Sequence, residues 1–178
     1  IITARANSKG IKNKNLQKIN NKELIYYPIK AALKSKFIND VVVSTDSPKI
    51  AKISKVYGAN VPFLRPKKFA LDSSPSSEAI IHCINFLRKK NFTYNNFILL
   101  EPTSPLTSYK DIDNAIRVFK KNIFKADALV TVSKAEQSHP VFLVKKDKKN
   151  FIKPFLNKSF NFKRRQDLSK LFFFDGSL

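Results

Sequence analysis

Short apolar runs rich in β-branched residues alternate with amphipathic stretches over the first three quarters of the chain. Runs of four or five residues that combine Val, Ile, Leu or Phe between polar or turn-forming residues are typical of buried strands. The predicted strands cover residues 1–4, 40–44, 61–64, 96–100 and 128–132.

Apolar residues recur at helical spacing in the intervals between these runs, as Ile29, Ala32 and Leu33 do. Ser47 or Asp46 is expected to cap the second helix, and Gly58 to end it. The predicted helices cover residues 26–36, 48–57, 77–89 and 111–121.

This alternation predicts an α/β fold with a Rossmann-like, doubly wound and mostly parallel sheet, because parallel strands require helical crossovers. Ligands of such sheets bind beyond the carboxyl ends of the strands. Arg5, Asp46 and the loop 101–105 each follow a predicted strand. We therefore expect these three places to share one site.

The pattern changes after Lys134, where residues 135–170 combine short β-like pieces, frequent Phe and many charges without a helical period. A solvated hairpin is the ordinary interpretation. Exposed phenylalanines would need cover in the folded protein; they are Phe151, Phe155, Phe160 and Phe162.

Composition sets broad limits. A chain of 178 residues with 43% hydrophobic residues is large enough for one globular domain, 1–178, with a full core. The net charge of +21 raises nucleic acid as a partner. The lysines are scattered through the whole chain, however, which favours a compositional bias, and we expect no nucleic acid partner.

The sequence shows no apolar run near the length of a membrane span and no pattern of a secretory leader. We therefore expect a cytoplasmic protein without membrane contact. The single cysteine, Cys83, lies in an apolar stretch and is predicted to be buried as a small hydrophobe. His82, on the same stretch, is predicted to be a satisfied core residue. The chain lacks methionine and opens inside a strand, so we expect it to be truncated at its start.

The basic loop after the first strand is the strongest candidate site. It contains Arg5, Lys9, Gly10, Lys12 and Lys14 within ten residues. Exposed backbone amides, a glycine at a tight turn and several cations around one concavity are suited to phosphate groups. Chance clustering of lysine is the alternative explanation, because lysine is abundant throughout.

This loop resembles the ARGGSKGIPxKN signature of the acylneuraminate (CMP-sialic acid) cytidylyltransferases. Further matches follow in the family's order and approximate spacing; they are LIYYPIKAAL, VVVSTDSPKIAK, VPFLRP, LLEPTSPL, SHP and RRQDLSKLFFFDGS. The resemblance covers essentially the whole chain. PTSPL at this place is similar to the sialic acid group, whereas the related Kdo cytidylyltransferases carry QGDEP.

The resemblance implies a nucleotide-diphospho-sugar transferase type of fold and an enzyme that joins CTP to a nonulosonic acid, releasing pyrophosphate, with Mg²⁺ as cofactor. It also implies a homodimer in which residues 135–170 form the interface and reach the partner's sugar pocket. The family continues beyond the last residue here, and its metal-binding aspartates lie there, so the metal ligands stay unknown and we expect truncation at this end too.

Individual roles follow from matched positions. Arg5 and Lys14 correspond to catalytic residues that contact the triphosphate, and Arg165 and Gln166 to the sugar site. For Arg165 a plain basic run is the alternative, and for Ser76 a helix N-cap. His139 is expected to be structural or substrate-orienting. The implied nucleotide-binding residues are Ala4, Arg5, Ala6, Asn7, Lys9, Lys14, Asn15, Ser76, Glu101 and Thr103.

Three departures from the family pattern leave other functions open. Ala6 and Asn7 replace two glycines that would let the backbone approach phosphates and adopt positive φ, and Glu101 replaces a glutamine. A glutamine amide both donates and accepts, whereas a carboxylate only accepts. A noncatalytic homologue that binds a nucleotide sugar, or a nucleotidyltransferase with altered base or sugar choice, is therefore the alternative.

Overall fold

Parallel pairing of short strands organises the first part of the molecule, in a computed structural model that describes residues 1–8, 10–135, 139–156 and 164–176. Strand β1 (Ile2–Thr3) pairs with β4 (Val43–Ser44) in parallel. Parallel bridges join Ile2 to Leu100 and Val42 to Asn60. The order across these pairings is therefore the Asn60 segment, β4, β1 and the Leu100 segment. The predicted α/β class is confirmed.

Three predicted strands are wrong in extent. At 128–132 only Val132 belongs to a strand, which runs on to Lys134. At 61–64 the pairing stops at the Asn60 bridge, because Pro62 has no N–H to donate to a ladder. At 96–100 only Leu100 bridges β1, and Phe97 is exposed. A small antiparallel hairpin, β2 (Lys18–Ile19) with β3 (Lys22–Glu23), was not predicted.

Four helices occupy the predicted intervals: α1 (Tyr26–Lys34), α2 (Pro48–Val56), α3 (Ser76–Lys89) and α4 (Tyr109–Lys121). The Ser47 side chain caps α2 by accepting from Ile50 N at 3.3 Å, so Ser47 and not Asp46 is the cap. Gly58 follows α2 with φ 99°, as its predicted terminator. The predicted N-cap role of Ser76 is wrong, because Pro75 holds that position and Ser76 is the first helical residue.

The core lies between these helices and the parallel strands. Ile2, Ile29 and Ile112 are completely buried and belong to one apolar cluster. Burial of each such side chain stabilises the fold by about 1.5–3 kcal/mol. Cys83 is also fully buried, as predicted, in a smaller cluster with Val42 and Leu87. Burial raises the pKa of its thiol.

Residues Val130–Gly176 form a second compact unit, separate from Ile1–Leu129. Its strand β5 (Val132–Lys134) pairs antiparallel with β8 (Phe172–Phe174). Strands β6 (Val144–Lys146) and β7 (Ile152–Pro154) form an antiparallel hairpin. The prediction of one domain over 1–178 stays a prediction.

Phenylalanines of this second unit are exposed, as expected for Phe151 and Phe155, and those of β8 are too. Phe160 and Phe162 lie outside the described residues. The β6–β7 hairpin agrees with the ordinary interpretation of this region, and the dimer interface stays a prediction. Within the part of the chain described, no helix is long and apolar enough to cross a membrane.

Candidate functional site

A cavity of about 560 Å³ opens where β1 and the Leu100 segment end. Its walls come from three stretches of the first unit: the loop after β1, the connection between Arg65 and α3, and the loop after Leu100. The lining residues are Thr3, Arg5, Ser8, Gly10, Ile11, Lys14, Asn15, Arg65, Phe69, Leu71, Asp72, Ser74, Pro75, Ser76, Ala79, Glu101, Pro102 and Thr103.

The structure thus brings six of the ten predicted nucleotide-binding residues to one cavity. They are Arg5, Lys14, Asn15, Ser76, Glu101 and Thr103. Ala4, Ala6 and Asn7 do not line it: Ala4 is fully buried, and its N donates to Ser44 O at 3.0 Å. Lys9 lies outside the described residues.

Two side chains fix the shape of the loop after β1. The Asp46 carboxylate accepts from Ala6 N at 2.8 Å. Asn15 is buried, and its Nδ2 donates to Arg5 O at 3.0 Å. The first contact ties the start of the loop to Asp46, and the second joins the two ends of the loop to each other, so Arg5 and Lys14 project from a braced segment.

The backbone of this loop corrects the expected role of glycine. Gly10 does not have positive φ, and a Cβ built there would meet nothing within 4 Å. Ala6 and Asn7 also keep ordinary negative φ. Asn13, just before Lys14, takes the left-handed conformation instead, with φ 52° and ψ 39°. The chain does bend at Gly10, but the left-handed position of the loop belongs to Asn13, because Asn tolerates this geometry.

Arg5 does not meet the cavity as an isolated charge. Its Nη1 forms an ion pair with Asp72 Oδ1, and both side chains are partly exposed, at 33% and 41%. Lys14 is half-buried on the same wall. A ligand entering here therefore meets a guanidinium already engaged by a carboxylate.

Arg65 is a site residue that the sequence predictions missed. It is only 6% exposed, and its Nε donates to Ser44 Oγ at 3.0 Å while Nη2 donates to Ser44 O. Nη1 lies 3.5 Å from Phe69 O. Burial lowers the pKa of this guanidinium, and the charge of nearby Asp46 opposes that shift. An arginine stays protonated nevertheless, so Arg65 brings a fixed positive charge to the cavity wall.

The signal that could have identified Arg65 was the VPFLRP segment. There an arginine directly follows an apolar run and precedes a proline. A charged residue so close to a buried strand has to find buried partners or a ligand.

His82, a neighbour of Arg65, corrects another prediction. Packed against Phe63 and Phe69, His82 has no hydrogen-bond partner for its buried Nδ1, so it is not a satisfied core residue.

Glu101 and Thr103 stand at the end of the Leu100 segment. Thr103 Oγ1 donates to Glu101 Oε2 at 3.2 Å, which leaves the other carboxylate oxygen to accept from a ligand. Ser76 opens α3 beside them on the cavity lining. Glu101, Thr103 and Ser76 therefore offer hydrogen-bonding groups to a ligand, whereas Arg5, Lys14 and Arg65 offer positive charge.

The predicted sugar-site residues belong to the second unit. Gln166 is exposed within a short 3₁₀ turn, Arg165–Asp167, and the side chain of Arg165 lies outside the described part. Arg164 next to it pairs with Asp167, its Nε at 2.8 Å from Oδ2. His139 caps another 3₁₀ turn by accepting from Val141 N at 3.3 Å, which agrees with a structural role.

The acidic side chains and the histidines and cysteine decide whether this chain can hold a metal ion by itself. Among the described residues, no three His, Cys, Asp or Glu side chains are grouped so that they could hold a metal ion. Asp46, which follows a predicted strand, has Oδ1 engaged by Ala6 N. The described residues therefore do not form a complete magnesium site.

Comparison with known proteins places this cavity in context. A family model described as cytidylyltransferase matches residues 1–173. The post-translational flagellin modification protein B of Campylobacter coli is 34% identical over 99% of this chain and 74% of its own length. The N-acylneuraminate cytidylyltransferase of Escherichia coli is 36% identical over 77% of this chain. The CMP-N,N'-diacetyllegionaminic acid synthase of Legionella pneumophila is 37% identical over 67%.

The chain spans only 31% and 52% of the lengths of the last two relatives. Among solved structures, CMP:2-keto-3-deoxy-manno-octonic acid synthetase complexed with CTP superposes with a TM-score of 0.60. That match has 18% sequence identity and covers 96% of this chain and 68% of the synthetase. At this identity the match speaks for the fold alone, which agrees with the predicted nucleotide-diphospho-sugar transferase type.

Proposed function

Because the chain belongs to the cytidylyltransferase family, we propose that it joins CTP to a nonulosonic acid and releases pyrophosphate. Two relatives are named for acylneuraminate and for diacetyllegionaminic acid, both acidic sugars of this class. The observation that carries the proposal is the cavity at the strand ends, where Arg5, Lys14 and Arg65 stand together.

These three cations suit a triphosphate. A single pair of opposite charges 4 Å apart is worth about 4 kcal/mol at an effective dielectric constant of 20. Three cations around one cavity would therefore offset much of the charge of the phosphates. Arg65 is held rigidly by its bonds to Ser44, so its charge requires little reorganisation when the ligand arrives.

The proposed reaction places the phosphates of CTP among these cations. The anomeric hydroxyl of the sugar attacks the α-phosphorus and gives up its proton to solvent, the bond from that phosphorus to the bridging oxygen breaks, and pyrophosphate leaves. Negative charge grows on the departing oxygen, and Arg5 and Lys14 are the groups that would stabilise it. We expect magnesium to enter bound to CTP and to share this task, which a titration of activity with EDTA would test.

Base choice is assigned to Glu101. Its carboxylate can accept from the exocyclic amino group of cytosine, and it would repel the carbonyl oxygen that uracil presents instead. The side chains of Asn15 and Ser76 would form hydrogen bonds with the nucleoside.

The sugar carboxylate would be held by Arg165, whose planar fork can bind bidentately, with Gln166 beside it. We infer a homodimer through residues 135–170, in agreement with the exposed phenylalanines there. We also infer a cytoplasmic reaction that supplies activated sugar to surface polysaccharide, since CTP is its substrate.

A noncatalytic homologue is the second candidate, and one observation favours it. The Ala6 amide, which a phosphate-binding loop could offer to its ligand, is bonded to Asp46 instead. Pyrophosphate release distinguishes the two functions. The protein is supplied with magnesium, with CTP or UTP, and with neuraminic, legionaminic and pseudaminic acids or Kdo.

Release that requires CTP and one nonulosonic acid, and that is lost in Arg5→Ala, supports the enzyme. Binding of CTP without release in any combination supports the homologue. A protein that neither binds CTP nor releases pyrophosphate would overturn both proposals.

A further inference from the structure

We propose that Asp72 competes with the triphosphate for Arg5. Its carboxylate pairs with Arg5 when the site is empty, and a phosphate group replaces it when CTP binds. The inference rests on the proposed nucleotide site and adds to it a residue that tunes affinity. It assigns to Asp72 a role that opposes binding, whereas the other polar groups of the cavity favour it.

The contact itself joins two different walls. Arg5 projects from the loop after β1, and Asp72 from the connection that leads to α3. Both residues line the cavity, and both are open enough to solvent for a ligand to reach their paired atoms. The ion pair is therefore located where an anionic ligand would have to lie to reach Arg5.

The chain around Asp72 is held independently of this pair. Ser74 Oγ donates to Lys68 O at 2.6 Å, and Phe69 N donates to Pro66 O at 2.9 Å. Loss of the Arg5 contact would thus leave the connection in place, and Asp72 would stay close to the exchanged phosphate. A carboxylate beside a bound phosphate repels it, which weakens binding further.

The exchange has a functional consequence for product release. Pyrophosphate would be held by the same cations as CTP. Because the Asp72 carboxylate can pair with Arg5 again, it lowers the affinity of the site for pyrophosphate. Partly exposed ion pairs are worth little, so the effect is modest: removing the charge at Asp72 should tighten binding about two- to fivefold.

Calorimetric binding of CTP, pyrophosphate and cytidine tests the proposal. Asp72→Asn should bind CTP and pyrophosphate more tightly and leave cytidine unchanged, because cytidine carries no phosphate. Asp127→Asn is the matched control, since Asp127 is exposed, lies outside the cavity lining, and changes the net charge equally. It should alter none of the three affinities by more than about a fifth of the Asp72 effect.

A second comparison separates local competition from a general change in field. In an Arg5→Ala background, Asp72→Asn should tighten pyrophosphate clearly less than it does with Arg5 present, because only the direct repulsion by the carboxylate is then removed; an equal effect in both backgrounds would contradict competition for Arg5. Asp72→Ser serves as a replacement if the asparagine variant unfolds. Wild type that binds CTP while both Asp72 variants bind it equally or more weakly would overturn this inference and leave the proposed function standing. Wild type that binds neither CTP nor pyrophosphate would overturn both.

Discussion

Replacing Arg65 by lysine tests whether this buried guanidinium organises the site. The substitution keeps the charge and removes the fork. In the native structure Nε and Nη2 reach the hydroxyl and the carbonyl of Ser44, and Nη1 lies near Phe69 O. A lysine ammonium can replace one of these contacts and leaves the others unmade. We therefore expect loss of two charged hydrogen bonds at a position that is 6% exposed.

The magnitude follows from what such bonds contribute. Hydrogen bonds to charged groups are worth about 1.5–3 kcal/mol each, and part of the loss is recovered as the ammonium relaxes. We expect Arg65→Lys to lower the free energy of unfolding by about 2–4 kcal/mol, a fall in midpoint temperature of about 5–15 °C. Urea denaturation followed by circular dichroism measures it.

Arg88→Lys is the control, because Arg88 is an exposed arginine near the end of α3. It should change stability by less than about 0.5 kcal/mol. If Arg65→Lys unfolds at the same urea concentration as Arg88→Lys, the buried contacts of Arg65 contribute nothing measurable. The assignment of a rigid cation to the cavity wall would then fail with them.

Three further outcomes are expected. Ile112→Ala should cost about 2–5 kcal/mol in urea denaturation because Ile112 is fully buried, whereas Ile81→Ala, at 55% exposure, should cost far less; equal losses would contradict the core described above. Burial, with the charges of two cations, lowers the pKa of His82, so the unfolded chain binds more protons. The free energy of unfolding should therefore fall as pH drops from about 6.5 toward the lower folded value, and His82→Leu should flatten that slope; an unchanged slope would refute the assignment. Glu101→Gln should reduce the preference for CTP over UTP about tenfold in competitive binding, since an amide also donates to uracil; an unaltered ratio would remove Glu101 from base selection.

Local chemistry predicted the helices well. Apolar spacing fixed α1 to α4 to within a few residues, and the serine cap and terminal glycine of α2 were readable from their residue types. Each of these signals acts over a single turn of chain. The order of six motifs likewise sufficed to recognise the cytidylyltransferase family, which the match over residues 1–173 confirms.

What failed depended on contacts between distant residues. The bonds of Arg65 to Ser44 span 21 positions, and the Arg5–Asp72 pair spans 67. No local pattern contains such pairings, so the first was missed and the second was unforeseen. Pro62 shows the reverse case: its missing N–H was visible in the sequence, but the apolar run around it favoured a longer strand.

The asparagines with left-handed backbone affect how this chain can be recognised from sequence motifs. The sequence contains three glycines in 178 residues. Across the described residues, five asparagines have positive φ: Asn13, Asn20, Asn21, Asn91 and Asn150. Asn20 and Asn21 together form the two-residue turn of the β2–β3 hairpin, where Asn-Gly is the common pair. Asparagine thus serves as a turn residue of a glycine-poor protein, and a motif search that demands two glycines early in the loop after β1 would pass over this chain, which has Ala6 and Asn7 there without positive φ.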